Sequence, residues 1–572
     1  MAYRFHGATV ETLERDRMRR DRLRMWAERH EARIRPGRPP ERSLRRPQWR
    51  VKSGVGVPDP PPAAVIALTR LGFGPRPGDV ADFDALGATD PQRLEAWLDQ
   101  QLDPPSIDDS AADARLAASG FQTLDKSLVD LWADHVVPPD LPWEERQRPA
   151  YEVALATMVR AVHSRRQLFE VLVGFWHDHF NVYAWDYPAI AIWPSTDRDA
   201  IRAHALGNFR DMIEAVAKTP TMLFYLDNYL NSEEDANENY ARELLELHAM
   251  GADAYLGSLA QGDVPLDPQG RPIGWVEDDV VAVARCFTGW TVDLEWFPLG
   301  GNTGTFLYWD PWHDHDPKHV LGVDLPANQP PLQDGYDLLD LVAQHPATGR
   351  FVAGKLARRL LGDSPPESVV EAAAAVFTAE HAAPDQLAQV VRTIVLAPEF
   401  LATWGDKVKR PFDIAMSALR GAGGDLPFEY QEDSTQWFLW QLYTTGHFPF
   451  GWHPPDGYPD VKSAWNTTSP RVMSWRLANF LATARDAADV PFADILGQTP
   501  PDVRSAYGLV AFWGERVLGR PLPPDEHDQL VLYMAQGHNP HFDLPLDSDE
   551  STRERLRALV ALILMSPSFL WR

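Results

Sequence analysis

The chain has 572 residues, 44% of them hydrophobic, and carries a formal net charge of -27 with a pI near 5.0. That length supplies a sizeable core, enough for more than one domain. The acidic balance repels phosphate backbones and anionic lipid heads, so neither nucleic acid nor a membrane surface is an expected partner of the body of the protein.

In chain order, the first stretch, Met1 to Arg50, is crowded with arginine and has no apolar h-region. It reads as a basic arm with a charged helix over Val10–Ile34, not as a signal peptide, and a cytoplasmic location is the expectation. Pro58-Asp-Pro-Pro-Pro62 forms a stiff linker that ends the arm. From Ala63 onward, apolar residues recur at helical spacing between Pro- and Gly-marked turns. Helices are predicted over Ala150–His163, Gln167–His179, Arg202–Ala217, Glu238–Met250, Asp278–Cys286, Tyr336–Ala343, Phe351–Leu361 and Glu367–Ala379. Strand signals are sparse, so the expected class is all-α, a multi-helical core with little β. Three stretches lack periodicity and are rich in Gly, Pro and aromatics: Gly257–Gly274, Trp296–Asp334 and Phe448–Ser469. Loops of this length in a helical protein are expected to cover or to build a site.

The segments Leu387–Leu401 and Leu556–Leu570 echo one another, each an apolar helix stopped by proline and followed by an aromatic. No apolar run approaches the roughly 18–20 residues of a membrane-spanning helix. The single cysteine, Cys286, rules out an internal disulfide framework and reads as a small buried residue. The pattern divides the chain into an arm and linker (1–62), a helical core with the candidate site (63–420) and a C-terminal helical part (421–572).

A series of motifs follows in fixed order. Leu68-Thr-Arg-Leu-Gly-Phe-Gly-Pro-Arg-Pro-Gly78 comes first, then Phe175-Trp-His-Asp-His-Phe180, His204-Ala-Leu-Gly-Asn-Phe-Arg210 and Tyr225-Leu-Asp-Asn228. Asn237-Glu-Asn-Tyr-Ala-Arg-Glu-Leu-Leu-Glu-Leu-His248 and Thr288-Gly-Trp290 precede His313-Asp314 with Lys318 and Leu321-Gly322. Lys409-Arg-Pro-Phe412 and the Trp465-Asn466 region complete the series. In this order the chain resembles the DUF1800 family from about residue 64 to its end. The resemblance implies mostly bacterial relatives, often exported, whose frequent companion is a sulfatase-like family. It therefore raises a sulfatase-like protein as a partner. The arm in place of an export signal departs from that pattern.

Within the longest motif, Asn237 suits an N-cap and Gly251 a left-handed C-terminal position. Helical spacing places Ala241, Leu244, Leu245 and His248 on one face and Asn239, Arg242, Glu243 and Glu246 on another. Paired carboxylates perform general acid/base chemistry when their environments split their pKa values. The leading expectation is thus a hydrolase using Glu243, Glu246 and Asp227, with Asn239, Arg242, Asn228, Trp290 and Lys318 holding the substrate. Tryptophan-rich loops suggest a carbohydrate-like or other flat small-molecule ligand. A competing expectation is a metal-dependent enzyme with His177, His179 and His313 around a divalent transition metal. Positions two apart in a helix point about 200° away from each other, which sets His177 against His179 as co-ligands. A third expectation is a non-catalytic scaffold. Gly349-Arg-Phe-Val-Ala-Gly-Lys355 matches a P-loop only on paper, because no strand precedes it and Leu356 replaces the Ser or Thr.

Overall fold

Proline, glycine and polar capping side chains cut the chain into short helices. The computed structural model describes residues 60–297, 300–485 and 491–572. The basic arm and its Val10–Ile34 helix lie outside the described residues. Within them the fold is mainly α, with strands confined to two small antiparallel pairs. β1 (Trp290–Val292) pairs with β2 (Phe306–Tyr308), Trp290 opposite Tyr308, and β3 (Lys318–Val320) pairs with β4 (Val323–Leu325). All four strands belong to or border the aromatic stretch before Asp334, where irregular chain was expected.

Most helix boundaries follow from local chemistry. The helix Gln167–His179 runs over the predicted span, and Glu277–Cys286 starts one residue early. The helix predicted over Arg202–Ala217 is instead broken. A π-helical turn covers Thr196–Arg202, and a new helix starts at Phe209, where the Asn208 side chain accepts the Arg210 amide at 2.8 Å. The motif helix is also divided, into an α segment Glu238–Glu243 and a π segment Leu244–His248. In the two echoing segments proline opens a short following helix, Glu399–Ala402 after Pro398 and Pro567–Leu570 itself, so the repeated device is helix, turn, helix.

One apolar cluster runs from Ala64 to Leu570 and joins the parts on either side of residue 420. The helix Pro411–Ala422 packs on Trp143–His163 from one side and on Thr468–Thr483 and Ala506–Leu518 from the other. Among the described residues no helix is long and apolar enough to cross a membrane.

Charge is buried beside this core. Asp413 sits at the third position of the helix Pro411–Ala422 and accepts from Arg572 Nη1 at 2.7 Å and from the Arg410 amide at 3.3 Å. Arg359 Nη2 lies 3.5 Å from its other oxygen. Arg410 reaches away to Asp178 at 2.6 Å, and Lys407 contacts Asp460 at 3.0 Å. Burial alone would raise the Asp413 carboxyl, but Arg572, Arg359 and Arg410 outweigh it and hold it well below the ordinary carboxylate range. Desolvated charges of this kind are tolerated only in company, and removing one partner costs about 3–5 kcal/mol. Replacing Asp413 by Asn should therefore lower stability by about that amount in urea unfolding. Glu367→Gln, which breaks an exposed pair with Arg350, should cost under about 1 kcal/mol. Equal losses would show that the buried network carries no special weight.

Candidate functional site

The motif segment begins as expected. Asn237 accepts the Asn239 amide at 2.8 Å, and the segment ends at Gly251, where φ is +87° and a side chain would strike the Phe351 ring. Ala241, Leu244, Leu245 and His248 are buried, as their shared face predicts. The polar face does not stay together. The Arg242 guanidinium turns to Glu277, at 2.7 and 3.2 Å, and Glu277 is also bonded by Tyr255. Asn239 is exposed and donates weakly to the Leu226 carbonyl at 3.4 Å. Glu243 and Glu246 remain, both half-buried. The wider π turn between them changes which way the later residues face, and such turns recur at functional sites.

Above these carboxylates lies the loop that follows Phe448. The end of the Phe175–Phe180 motif fastens it: Asn181 Nδ2 donates to the carbonyls of Trp452 at 3.0 Å and Pro454 at 2.7 Å. Gly457 adopts φ +74° with its α-carbon against the Asp178 carbonyl, and a Cβ there would come within 1.9 Å of that oxygen. The Tyr183 ring packs at a tilt against His453, with centroids 4.9 Å apart, while the Tyr225 hydroxyl donates to the His453 carbonyl. Trp452 Nε1 in turn donates to Asp456 at 2.7 Å. Burial pushes the Glu243 carboxyl up, and repulsion from Glu246 and Asp456 adds to it against the pull of Arg242. Tyr225 is pushed up to about 12, by burial first and then by the Glu243 charge. Glu243, Glu246, Tyr225 and Asp456 thus share one electrostatic neighbourhood under the loop.

The other expected site residues lie elsewhere. Asp227 stands at the surface in a left-handed turn (φ +59°), and partial desolvation of its carboxyl, without a contribution from Glu243, raises its pKa. Asn228 is buried and accepts from Asn231 at 3.0 Å. Two of the residues expected to hold substrate lie in the interior. Trp290 is fully buried among Phe287, Phe306 and Tyr336, so its ring offers no platform. Lys318 is buried too, its ammonium bonded to Asp334 at 2.6 Å and to the carbonyls of Asp314 and Asp316.

The three histidines belong to three separate sets of bonds. His177 pairs with Asp197 at 2.9 Å, His179 with the His248 carbonyl at 3.0 Å, and His313 with the Thr288 carbonyl and Asp334. The helix continues through His179, so His177 and His179 diverge. No group of three or more His, Cys, Asp or Glu among the described residues could hold a metal ion. The expected ligand set is not brought together.

Asp178, Tyr225, Asp456 and Lys355 are the residues that sequence reasoning did not assign to the site. Lys355 is lowered to about 8 by burial, against the fields of Asp178, Asp460 and Asp456, and its charge adds to the burial that lowers His179 and His248. The irregular stretch Phe448–Ser469 was the available signal for Asp456. Nothing in the text of an amphipathic helix marks Lys355.

Residues 66–571 match the family model described as "Protein of unknown function (DUF1800)". No curated protein and no solved structure matches the chain.

Burial, aided by Lys355, lowers the His248 imidazole to about 3. Above pH 6.5 it is neutral in folded and unfolded chains alike. As the pH falls from 6.5 towards 3, the unfolded chain takes a proton that the folded one refuses, so stability declines across that window. His248→Phe should flatten part of this slope, read as urea midpoints at pH 7, 5.5 and 4. Identical slopes in the two proteins would rule out a buried neutral His248.

Proposed function

The chain belongs to the DUF1800 family, and from that premise we propose that it is a hydrolase whose acid/base centre is Glu243 with Glu246. One observation carries the reading: Glu243 is half-buried and its carboxyl is raised by burial and by the like charges of Glu246 and Asp456. A carboxyl so placed keeps its proton closer to neutrality, as a general acid must. Glu243 would donate that proton to the leaving oxygen as the scissile bond breaks. Glu246 would take a proton from the attacking water, whose oxygen forms the new bond.

A carbohydrate-like substrate is supported by what surrounds the pair. Trp452 is half-exposed, with its indole nitrogen engaged by Asp456 and its ring packed near Tyr458 at 5.1 Å between centroids, so its exposed part offers an apolar surface to a hydroxyl-bearing ligand. This role passes to Trp452 from Trp290. Asp227, Asn239 and Arg242 take no part in the proposed centre, and a sulfatase-like partner rests on the family resemblance alone.

The test follows release of free sugar from a panel of alkyl glycosides, whose leaving oxygens need a proton to depart. Glu243→Gln and Glu246→Gln should each cost about 10²-fold or more in turnover. Because a raised carboxyl pKa costs stability once the pH exceeds the unfolded value, Glu243→Gln should also raise the unfolding midpoint at pH 7. Loss of turnover with gain of stability separates a catalytic carboxylate from a structural one. Unchanged turnover in both folded variants would sink the proposal.

A further inference from the structure

A second aromatic surface lies beside the β1–β2 pair. Trp296 and Phe297 follow β1, and Trp309 and Trp312 lie in and before the turn that follows β2. Phe297 is buried and Trp309 and Trp312 are half-buried, whereas Trp296 is 53% exposed. An indole held this far into water beside other aromatic rings marks a surface that meets something.

The ring geometry decides which part of Trp296 is open. Its indole stacks on Phe297, with centroids 4.2 Å apart and planes 24° from parallel. Trp312 lies 5.8 Å from Trp296 but only 5.4 Å from Phe297. A ring on the outer face of Trp296 would stand two ring thicknesses from Phe297, farther than that. Trp312 therefore sits beside the stacked pair, and no ring covers the outer face of Trp296 among the described residues. Phe297 supports the indole from behind, and the exposure that remains is that of the outer face and the edges.

Shape and charge limit the ligand. The supporting rings lie behind and beside the indole, so the surface is flat and is not the enclosing cage that holds a quaternary ammonium. Its surroundings are acidic. Asp310, its side chain 60% exposed, opens the turn that carries Trp312, and the exposed Glu233 is tied to the same turn by its amide, which donates to the Trp312 carbonyl at 2.9 Å. Carboxylates repel an anionic ligand and accept from hydroxyl groups. A sugar ring presents C–H groups on its face and hydroxyls at its edge, which matches an indole face flanked by acceptors. We propose that Trp296, with Trp312 beside it, binds a neutral polysaccharide, one sugar ring stacked on the outer indole face. This surface holds a chain without cleaving it and shares no residue with the Glu243 centre.

Native electrophoresis of the full chain through gels cast with hydroxyethyl cellulose, laminarin, glucomannan or alginate tests this. The net charge of -27 drives the protein through the gel, and a polymer that it binds slows it. At least one of the three neutral polymers should retard the protein relative to a plain gel. Trp296→Ala should restore the plain-gel mobility with an unchanged thermal midpoint, because the side chain it removes is exposed. Glu243→Gln and Trp452→Ala should stay retarded, so this surface and the hydrolase reading stand or fall separately. Retardation by none of the neutral polymers, or retardation that survives Trp296→Ala, would overturn the platform. Retardation by alginate alone would overturn the neutral ligand class.

Discussion

The Asp413 carboxylate, shared by Arg359, Arg410 and Arg572, is the contact on which the rest of the structure depends. Each of these charges has left water, and each is tolerable only while the others hold position. That requirement ties the helix Pro411–Ala422 to Pro346–Leu360 and to the last residue of the chain. Backbone bonds pass through the same place, with the Arg572 amide donating to Lys407 and the Lys409 amide donating to Leu570. Through Arg410 the network extends to Asp178, in the middle of the motif whose next turn supports the candidate site.

The site follows from that anchorage. Asp178 is fixed by its side chain in the ion network, while its carbonyl meets the Gly457 α-carbon at a distance no side chain would allow. The loop carrying Trp452, His453 and Asp456 is therefore set by a rigid neighbour and brought over Glu243. The two regions use opposite electrostatics. Around Asp413 surplus cations hold a carboxylate ionised, whereas around Glu243 burial and neighbouring acids favour the proton. The first arrangement stabilises structure; the second costs stability and is the kind of strain expected where chemistry is done.

Much of the fold was legible because helical periodicity, caps and prolines act over a few residues. Gln167–His179, the Asn237 cap and the buried Leu244/His248 face all follow from such local rules. The two π turns did not, since an extra residue per turn leaves no mark in apolar spacing. The burial of Trp290 and Lys318 was not legible for a related reason. A tryptophan or lysine reads as exposed or functional in a Gly-rich stretch, yet β1 carries Trp290 into the core and Asp334 neutralises Lys318 from 16 residues away.

By itself the sequence determined the family, the mainly helical class and the pairing of Glu243 with Glu246 on one short segment. These depend on residue order and short-range geometry. Only the tertiary structure decided that Arg242 serves Glu277 and that Asp456 joins Glu243. Those outcomes depend on which distant groups share a desolvated space, and the strength of a charge interaction is set by that space, not by separation along the chain.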